Sequence, residues 1–263
     1  MPLPKALVLR TAGTNCDAET ERALRISGAD ASTLHLNRLL EEPQRLDEQD
    51  ILVIAGGFSY GDDVAAGRVW GLELRHNLAD ALKRYVDRGG LALGVCNGFQ
   101  VLVESGLFAS TGDDGERDIA LTNNESNHYE CRWVTLRSED CACPWIVPGE
   151  LMPTPVAHAE GRFVVKSDAT LERLRQNKQI ALTYVTPDGG QASYPANPNG
   201  AVADIAGICD PTGRVLGLMP HPERNLDPWN HPQWTRLSRD RSHGEGLPFY
   251  ERMVACAAAG ISV

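Results

Sequence analysis

Residues 91–102, Leu-Ala-Leu-Gly-Val-Cys-Asn-Gly-Phe-Gln-Val-Leu, constrain this chain more than any other stretch. A short apolar run passes through Gly94-Val95-Cys96-Asn97-Gly98 into a second apolar run with helical spacing. That pattern predicts a strand, a sharp turn and a helix, with Cys96 in the serine position of a G-x-S-x-G nucleophile elbow. A residue at such a turn is strained, so its neighbours two before and two after need little bulk. Gly94 and Gly98 meet that need. The following helix would aim free N–H groups and its positive dipole end at the thiol, which favours thiolate. A buried cysteine between small turn residues would give the same local pattern, so the rest of the chain decides.

Strand and helix signals alternate around this segment. Residues 6–9 and 51–55 read as buried strands and 31–36 as a weaker one. Residues 17–28 read as a helix started at Asp17 and closed at Gly28, and 72–88 as one amphipathic helix stopped by Gly89-Gly90. The alternation predicts a parallel sheet with helices on both faces. Such sheets bind ligands beyond the carboxyl ends of their strands, where both Gly56-Gly57 and Cys96 fall. Beyond residue 105 the texture changes. Residues 111–118 read as a polar, exposed loop. Shorter strands are expected at 129–136, 155–158, 180–185, 201–208 and 215–219, and a closing helix at 247–259. No linker interrupts the pattern, so a single domain over 1–263 is expected.

Composition bounds the function. A 42% hydrophobic chain of 263 residues has material for a full core, and no stretch reaches membrane-spanning length. The net charge of −10 argues against nucleic acid or an anionic membrane surface as partner. The seven cysteines are odd in number and show no disulfide framework, and the N-terminus carries no secretory pattern. Reduced thiols in a cytoplasm are the expectation. Cys141-Ala142-Cys143 is the only close cysteine pair; with His158 well downstream it lacks the spacing of a metal site, and no metal is expected.

A cysteine nucleophile needs a base and a group that orients the base. Among the seven histidines His221 stands out. It follows the strand-like run 215–219 and sits in Pro220-His221-Pro222-Glu223-Arg224, where two prolines fix the backbone. Glu223 would lie on the same side as His221 if the segment is extended, and could hold the imidazole by one ring nitrogen. A proline-rich surface loop is the alternative.

Gly-Val-Cys-Asn-Gly-Phe-Gln, Gly-Gly-Phe-Ser-Tyr-Gly-Asp and Pro-His-Pro-Glu-Arg together resemble the class I (triad) glutamine amidotransferases. More narrowly, the chain is similar to the glutaminase subunits of phosphoribosylformylglycinamidine synthase, the PurQ type. Residues 10–20, Cys131-Arg132-Trp133-Val134, residues 158–163 and Asn197-Pro198-Asn199-Gly200 extend the likeness from about Lys5 to Arg224. The resemblance implies a flavodoxin-like α/β fold with a mostly parallel central sheet and smaller antiparallel strands. It implies that Cys96 attacks glutamine, His221 moves the proton and Glu223 orients His221. It places oxyanion donors at the backbone N–H groups of Gly57 and Asn97 and a glutamine contact at Gln100. It implies no cofactor in this chain, with ATP and Mg2+ used by a PurL-type synthase partner, and a small PurS-type subunit as a further partner. The chain has no Walker-type phosphate loop of its own.

Other residues carry competing readings. Asp62-Asp63 could be an acid/base pair, but capping a helical turn at 64–66 is the preferred reading. His158 and Glu160 could form a second acid/base pair; the resemblance favours a loop facing the synthase. Arg10 and Asn15 could face a partner, and Trp229, His231 and Trp234 could line an aromatic pocket or pack on the surface. Ala55 replaces a common Pro, Ala159 a Gly and Ala201 a Ser, while 127–129 departs from Gly-Arg-Phe and 227–246 matches nothing. Three alternative functions are carried forward. They are an amidotransferase serving another synthase, a cysteine-elbow hydrolase or peptidase, and a catalytically silent binding subunit.

Overall fold

A computed structural model describes residues 2–108, 117–237 and 241–260. Most of the loop expected at 111–118, and part of the unmatched segment 227–246, lie outside the described residues.

The N-terminal half alternates as expected: β1 (Lys5–Arg10), α1 (Asp17–Ile26), β2 (Asp30–His35), α2 (Leu36–Glu41), β3 (Ile51–Ile54), α3 (Arg68–Asn77), α4 (Ala79–Asp87), β4 (Leu91–Val95) and α5 (Asn97–Ser105). Every residue of β3 and β4 is buried, as strands covered by helices on both faces require. Then follow β5 (Ile119–Thr122), β6 (Glu130–Ser138), β7 (Leu151–His158), β8 (Arg162–Val165), α6 (Asp168–Gln176), β9 (Ile180–Val185), β10 (Ile205–Cys209), β11 (Val215–Leu218) and α7 (Leu247–Ala259).

One nine-stranded sheet runs β2-β1-β3-β4-β11-β10-β9-β6-β7, and β5 and β8 form a separate pair. Strands β2, β1, β3, β4 and β11 are mutually parallel. From β11 outward through β10, β9, β6 and β7 every pairing is antiparallel. The antiparallel strands therefore extend the central sheet instead of standing apart from it. The register Leu218↔Val95 and Ile54↔Gly94 places the ends of β3, β4 and β11 side by side. Three segments far apart in sequence thus leave the sheet at neighbouring points.

Two expectations are corrected. The helix expected over 72–88 is two helices, broken at Leu78, whose φ of −125° leaves helical geometry. The apolar spacing carries no trace of the break, because Leu74, Leu78 and Leu82 keep a spacing of four and are all buried. Asp118, expected in an exposed loop, is 2% exposed. It pairs with Arg173 of α6 and accepts a hydrogen bond from Thr170 at 3.5 Å, so a helix the sequence pattern did not signal covers it.

The elbow depends on close backbone approach. A Cβ on Gly98 would lie 1.9 Å from the Ile54 carbonyl oxygen, and one on Gly94 would lie 2.5 Å from the Gly98 oxygen. The start of α5 is thus seated directly on the ends of β3 and β4. Gly98→Ala is expected to destabilise the fold by about 1–3 kcal/mol, the usual cost of overpacking. Urea denaturation should show a lower midpoint with an unchanged slope; an unchanged midpoint would mean that the helix start is not held against β3.

Candidate active site

Cys96 is the hinge between β4 and α5, with φ 52° and ψ −109°. Its N–H donates to the Leu218 carbonyl at 2.8 Å, tying the elbow to the end of β11. The Phe99 and Gln100 N–H groups donate back to its carbonyl at 3.0 and 3.2 Å, closing the first helical turn. The side chain is 5% exposed, and its thiol donates to the Ala157 carbonyl of β7 at 3.7 Å.

His221 lies three residues beyond the end of β11, held by its N–H to the Pro155 carbonyl at 2.9 Å. Its Nδ1 donates to Glu223 Oε1 at 2.6 Å, and both side chains are buried. Nε2 is buried without a hydrogen-bond partner, which leaves that nitrogen free to take a proton. Burial opposes charge on this imidazole. The Glu223 carboxylate, and then the Cys96 and Cys16 sulfurs once deprotonated, outweigh that effect and raise it well above the ordinary histidine range, so the ring is charged once the Cys96 proton has passed to it. The segment is not extended, as expected from sequence, but a 3-10 turn over Pro222–Arg224. That turn itself brings Glu223 back onto His221. Tyr250 of α7 completes the set by donating to Glu223 Oε2 at 3.4 Å. The sequence signal for Tyr250 is weak: a phenol on a helix face that buries Phe249, Met253 and Val254 needs a polar partner.

The turn after β3 lies beside the elbow. Gly57 has φ 149°, and a Cβ there would lie 2.7 Å from Asn15 N, Gly13 O and Thr14 Cα. Asn15 N–H donates to Gly56 O at 3.3 Å and Phe58 N–H to Gly13 O at 2.9 Å. These bonds flank Gly57 and leave its own N–H out of the bridge to Thr14. Asn97, named from sequence for its backbone N–H, also acts through its side chain. Its Oδ1 accepts from Ser59 N–H at 3.2 Å, and its Nδ2 donates to Gln100 Oε1 at 3.0 Å and Asp62 Oδ1 at 3.3 Å. Gln100 in turn donates to the Glu160 carbonyl at 2.5 Å. Its amide is thus engaged within the protein in this state.

The structure departs from expectation at Asp62 and His158. Asp62 caps no helix, because residues 64–66 form a bend and turn; it has φ 55° and faces Asn97 instead. Burial, then the neighbouring Glu160 charge, pushes its carboxyl up to about 6. His158 stands at the end of β7 and not in a loop: it is 3% exposed and bonds through Nδ1 to Asn124 Oδ1 at 3.0 Å. Burial, and then the charge on His221, lower its pKa to about 3, so it is neutral and forms no acid/base pair with Glu160. Glu160 instead accepts from Ala66 N–H at 3.2 Å. Arg10 pairs with Asp17 at 3.1 Å. Asn15 Oδ1 accepts from the Cys16 thiol at 3.2 Å. Trp229 and Trp234 are exposed, and the His231 ring packs on Trp133 at 5.1 Å, so these three residues line no common aromatic pocket. All seven cysteines are free thiols.

The raised Asp62 carboxyl has a pH consequence. The unfolded chain releases this proton near 3.8 and the folded chain near about 6, so the group's contribution to stability falls as pH rises between them. Asp62→Asn removes the charged form. Since the group is half exposed, screening reduces the ~3 kcal/mol implied by the shift to about 1 kcal/mol. Thermal denaturation should show the variant more stable than the parent at pH 8 and equal to it at pH 4. A constant difference across that range would remove Asp62 titration as the cause.

Residues 3–255 match the family model of the CobB/CobQ-like glutamine amidotransferase domain. The phosphoribosylformylglycinamidine synthase subunit PurQ of Methanococcus maripaludis is 42% identical over 251 residues, covering 94% of this chain and 92% of that protein. That of Dehalococcoides mccartyi is 40% identical over 256 residues, covering 96% and 97%. Among solved structures, a chain of PurLQS from Thermotoga maritima superposes with a TM-score of 0.70 at 30% identity, covering 96% of this chain and 98% of that one. The chain belongs to the glutamine amidotransferase family, within its phosphoribosylformylglycinamidine synthase subunit PurQ branch.

Proposed function

We propose that this chain is the glutaminase subunit of a phosphoribosylformylglycinamidine synthase, working in de novo purine biosynthesis in the cytoplasm. The observation that carries the chemistry is a cysteine held at φ 52° beside a buried imidazole, whose far nitrogen is fixed by a carboxylate at 2.6 Å. Identity to PurQ subunits over nearly the whole chain supports the acceptor pathway.

Cys96 attacks the side-chain amide carbon of glutamine as its proton passes to His221 Nε2. Glu223 keeps Nδ1 protonated and the ring in place, and stabilises the imidazolium that forms. Negative charge on the amide oxygen is taken by the N–H groups of Gly57 and Asn97, which sit at the ends of β3 and β4. Collapse of the adduct returns the proton from His221 to the leaving nitrogen. Ammonia departs and a glutamyl thioester remains on Cys96. Water, deprotonated by His221, then releases glutamate. Gln100 contacts the substrate by exchanging one of its present internal hydrogen bonds. A PurL-type partner takes the ammonia and, with ATP and Mg2+, converts formylglycinamide ribonucleotide to the amidine; a small PurS-type subunit joins the assembly. Free ammonia would be lost by protonation and diffusion, so its passage is internal, and the partner raises the activity of the site.

Three measurements test this reading. In the assembled synthase, Cys96→Ala should abolish glutamine-dependent synthesis and leave ammonia-dependent synthesis largely intact; loss of both would sink the division of labour. His221→Ala should lower glutaminase turnover by roughly two to four powers of ten, the range of general acid–base catalysis. Labelling by a glutamine-like electrophile should fall on Cys96, whereas an unlabelled thiol would favour a silent subunit.

A further inference from the structure

The mechanism leaves one buried thiol beside the triad unused. Cys16 lies just before α1 and is 1% exposed. Its sulfur is 4.0 Å from His221 Nδ1, on the side of the ring opposite the nitrogen that serves Cys96. Glu19 and Glu223 complete the cluster: one ligand atom from each of Cys16, Glu19, His221 and Glu223 lies within 4.8 Å of all the others. It is the single grouping of this kind among the described residues.

We propose that Cys16, Glu19, His221 and Glu223 form an inhibitory zinc site behind the catalytic imidazole. The donor set is one thiolate, one imidazole nitrogen and two carboxylates, a mixture that suits a borderline-soft divalent cation better than Mg2+ or Ca2+. Tetrahedral zinc, with Zn–S about 2.3 Å and Zn–N about 2.0 Å, sets sulfur and nitrogen about 3.5 Å apart. For zinc to enter, the observed 4.0 Å contracts a little and the 2.6 Å contact between Nδ1 and Glu223 opens to about 3.3 Å. A cation already bridges two of the four donors. The Arg224 guanidinium donates through Nε to Glu19 Oε1 at 2.7 Å and through Nη2 to Cys16 Sγ at 3.1 Å. Arg224 and Glu19 are also the partly exposed members, with side chains 32% and 35% open to solvent. Zinc enters from that side as Arg224 swings out.

The consequence follows from the tautomer. Zinc takes the lone pair of His221 Nδ1, so the single proton of the neutral ring moves to Nε2. The Cys16 thiol releases its proton to solvent. An imidazole protonated on Nε2 and bound through Nδ1 cannot accept the Cys96 proton, and glutamine hydrolysis stops without any ligand on the nucleophile.

Zinc binding is measured without turnover, so it stands or falls separately from the glutaminase reading; only the inhibition rests on that reading. Full-length Cys96→Ser protein, titrated with zinc against a chromogenic chelator, should bind one equivalent. Adding Cys16→Ser should weaken binding by about tenfold or more, and adding Glu19→Gln by several-fold; the second change lies at the solvent edge and keeps the test alive if the first misfolds. In the unmodified enzyme, zinc should suppress glutaminase activity and a chelator restore it. Cys16→Ser should need about tenfold more zinc for half-inhibition, relative to its own zinc-free rate. Equal zinc affinity with and without Cys16, or loss of all binding on replacing Cys96, would overturn the proposal.

Discussion

The backbone of Cys96, held at φ 52° and ψ −109°, is the constraint on which the site depends. A non-glycine residue in such a conformation costs on the order of 1–3 kcal/mol and persists only where its surroundings over-determine it. Here they do so from both sides. The N–H is fixed by Leu218 of β11, and the carbonyl by the first turn of α5. Gly98 lets that helix start against the Ile54 carbonyl of β3. The elbow is thus clamped between the two strands that neighbour β4. Those strands also deliver the other functional groups, Gly57 after β3 and His221 after β11. Strand order, more than any local motif, puts the proposed nucleophile, oxyanion turn and base at the carboxyl ends of three neighbouring interior strands.

Side-chain hydrogen bonds then tie the turn to the elbow. Asn97 accepts from Ser59 and donates to Asp62 and Gln100, so one amide joins the residue after the nucleophile to the segment after Gly57. The donors named for the oxyanion therefore sit on two elements that cannot shift independently. This arrangement also explains why Asp62 is tolerated half-buried near Glu160: its oxygen is an acceptor the network uses, and its raised pKa reflects the conflict with burial and with that second carboxylate.

The parallel half of the fold was legible because each buried strand there is an apolar run that ends at turn residues, as in 51–57 and 91–98. Cys96 and His221 could be found for the same reason, since both lie just past such runs. What escaped depends on contacts distant in sequence. Asp62 has the local look of a helix cap, but its partner Asn97 is 35 residues away. Tyr250 belongs to a helix whose apolar pattern is ordinary, and only the fold brings it to Glu223. Cys16 and Arg224 lie in segments that carry the family resemblance, yet nothing local pairs them: their contact at 3.1 Å joins positions 208 residues apart. Glu223 was found through an assumption of extended backbone that is wrong. The His-x-Glu spacing works in a 3-10 turn because the turn folds the carboxylate back toward the preceding ring.

Two buried histidines show how the protein assigns proton work. His158 and His221 are 3% and 1% exposed, and burial alone disfavours the charged form of both. They diverge because of what each ring meets. His158 Nδ1 meets the neutral amide of Asn124, which adds no charge to offset desolvation, and its pKa falls to about 3. His221 Nδ1 meets a carboxylate at 2.6 Å, with two cysteine sulfurs near, and its pKa moves the other way. Charge that reaches His221 also disfavours charge on His158, so of the two rings only His221 is suited to take a proton. The carboxylate of Glu223, more than the histidine itself, is what suits position 221 to the role of base proposed for it.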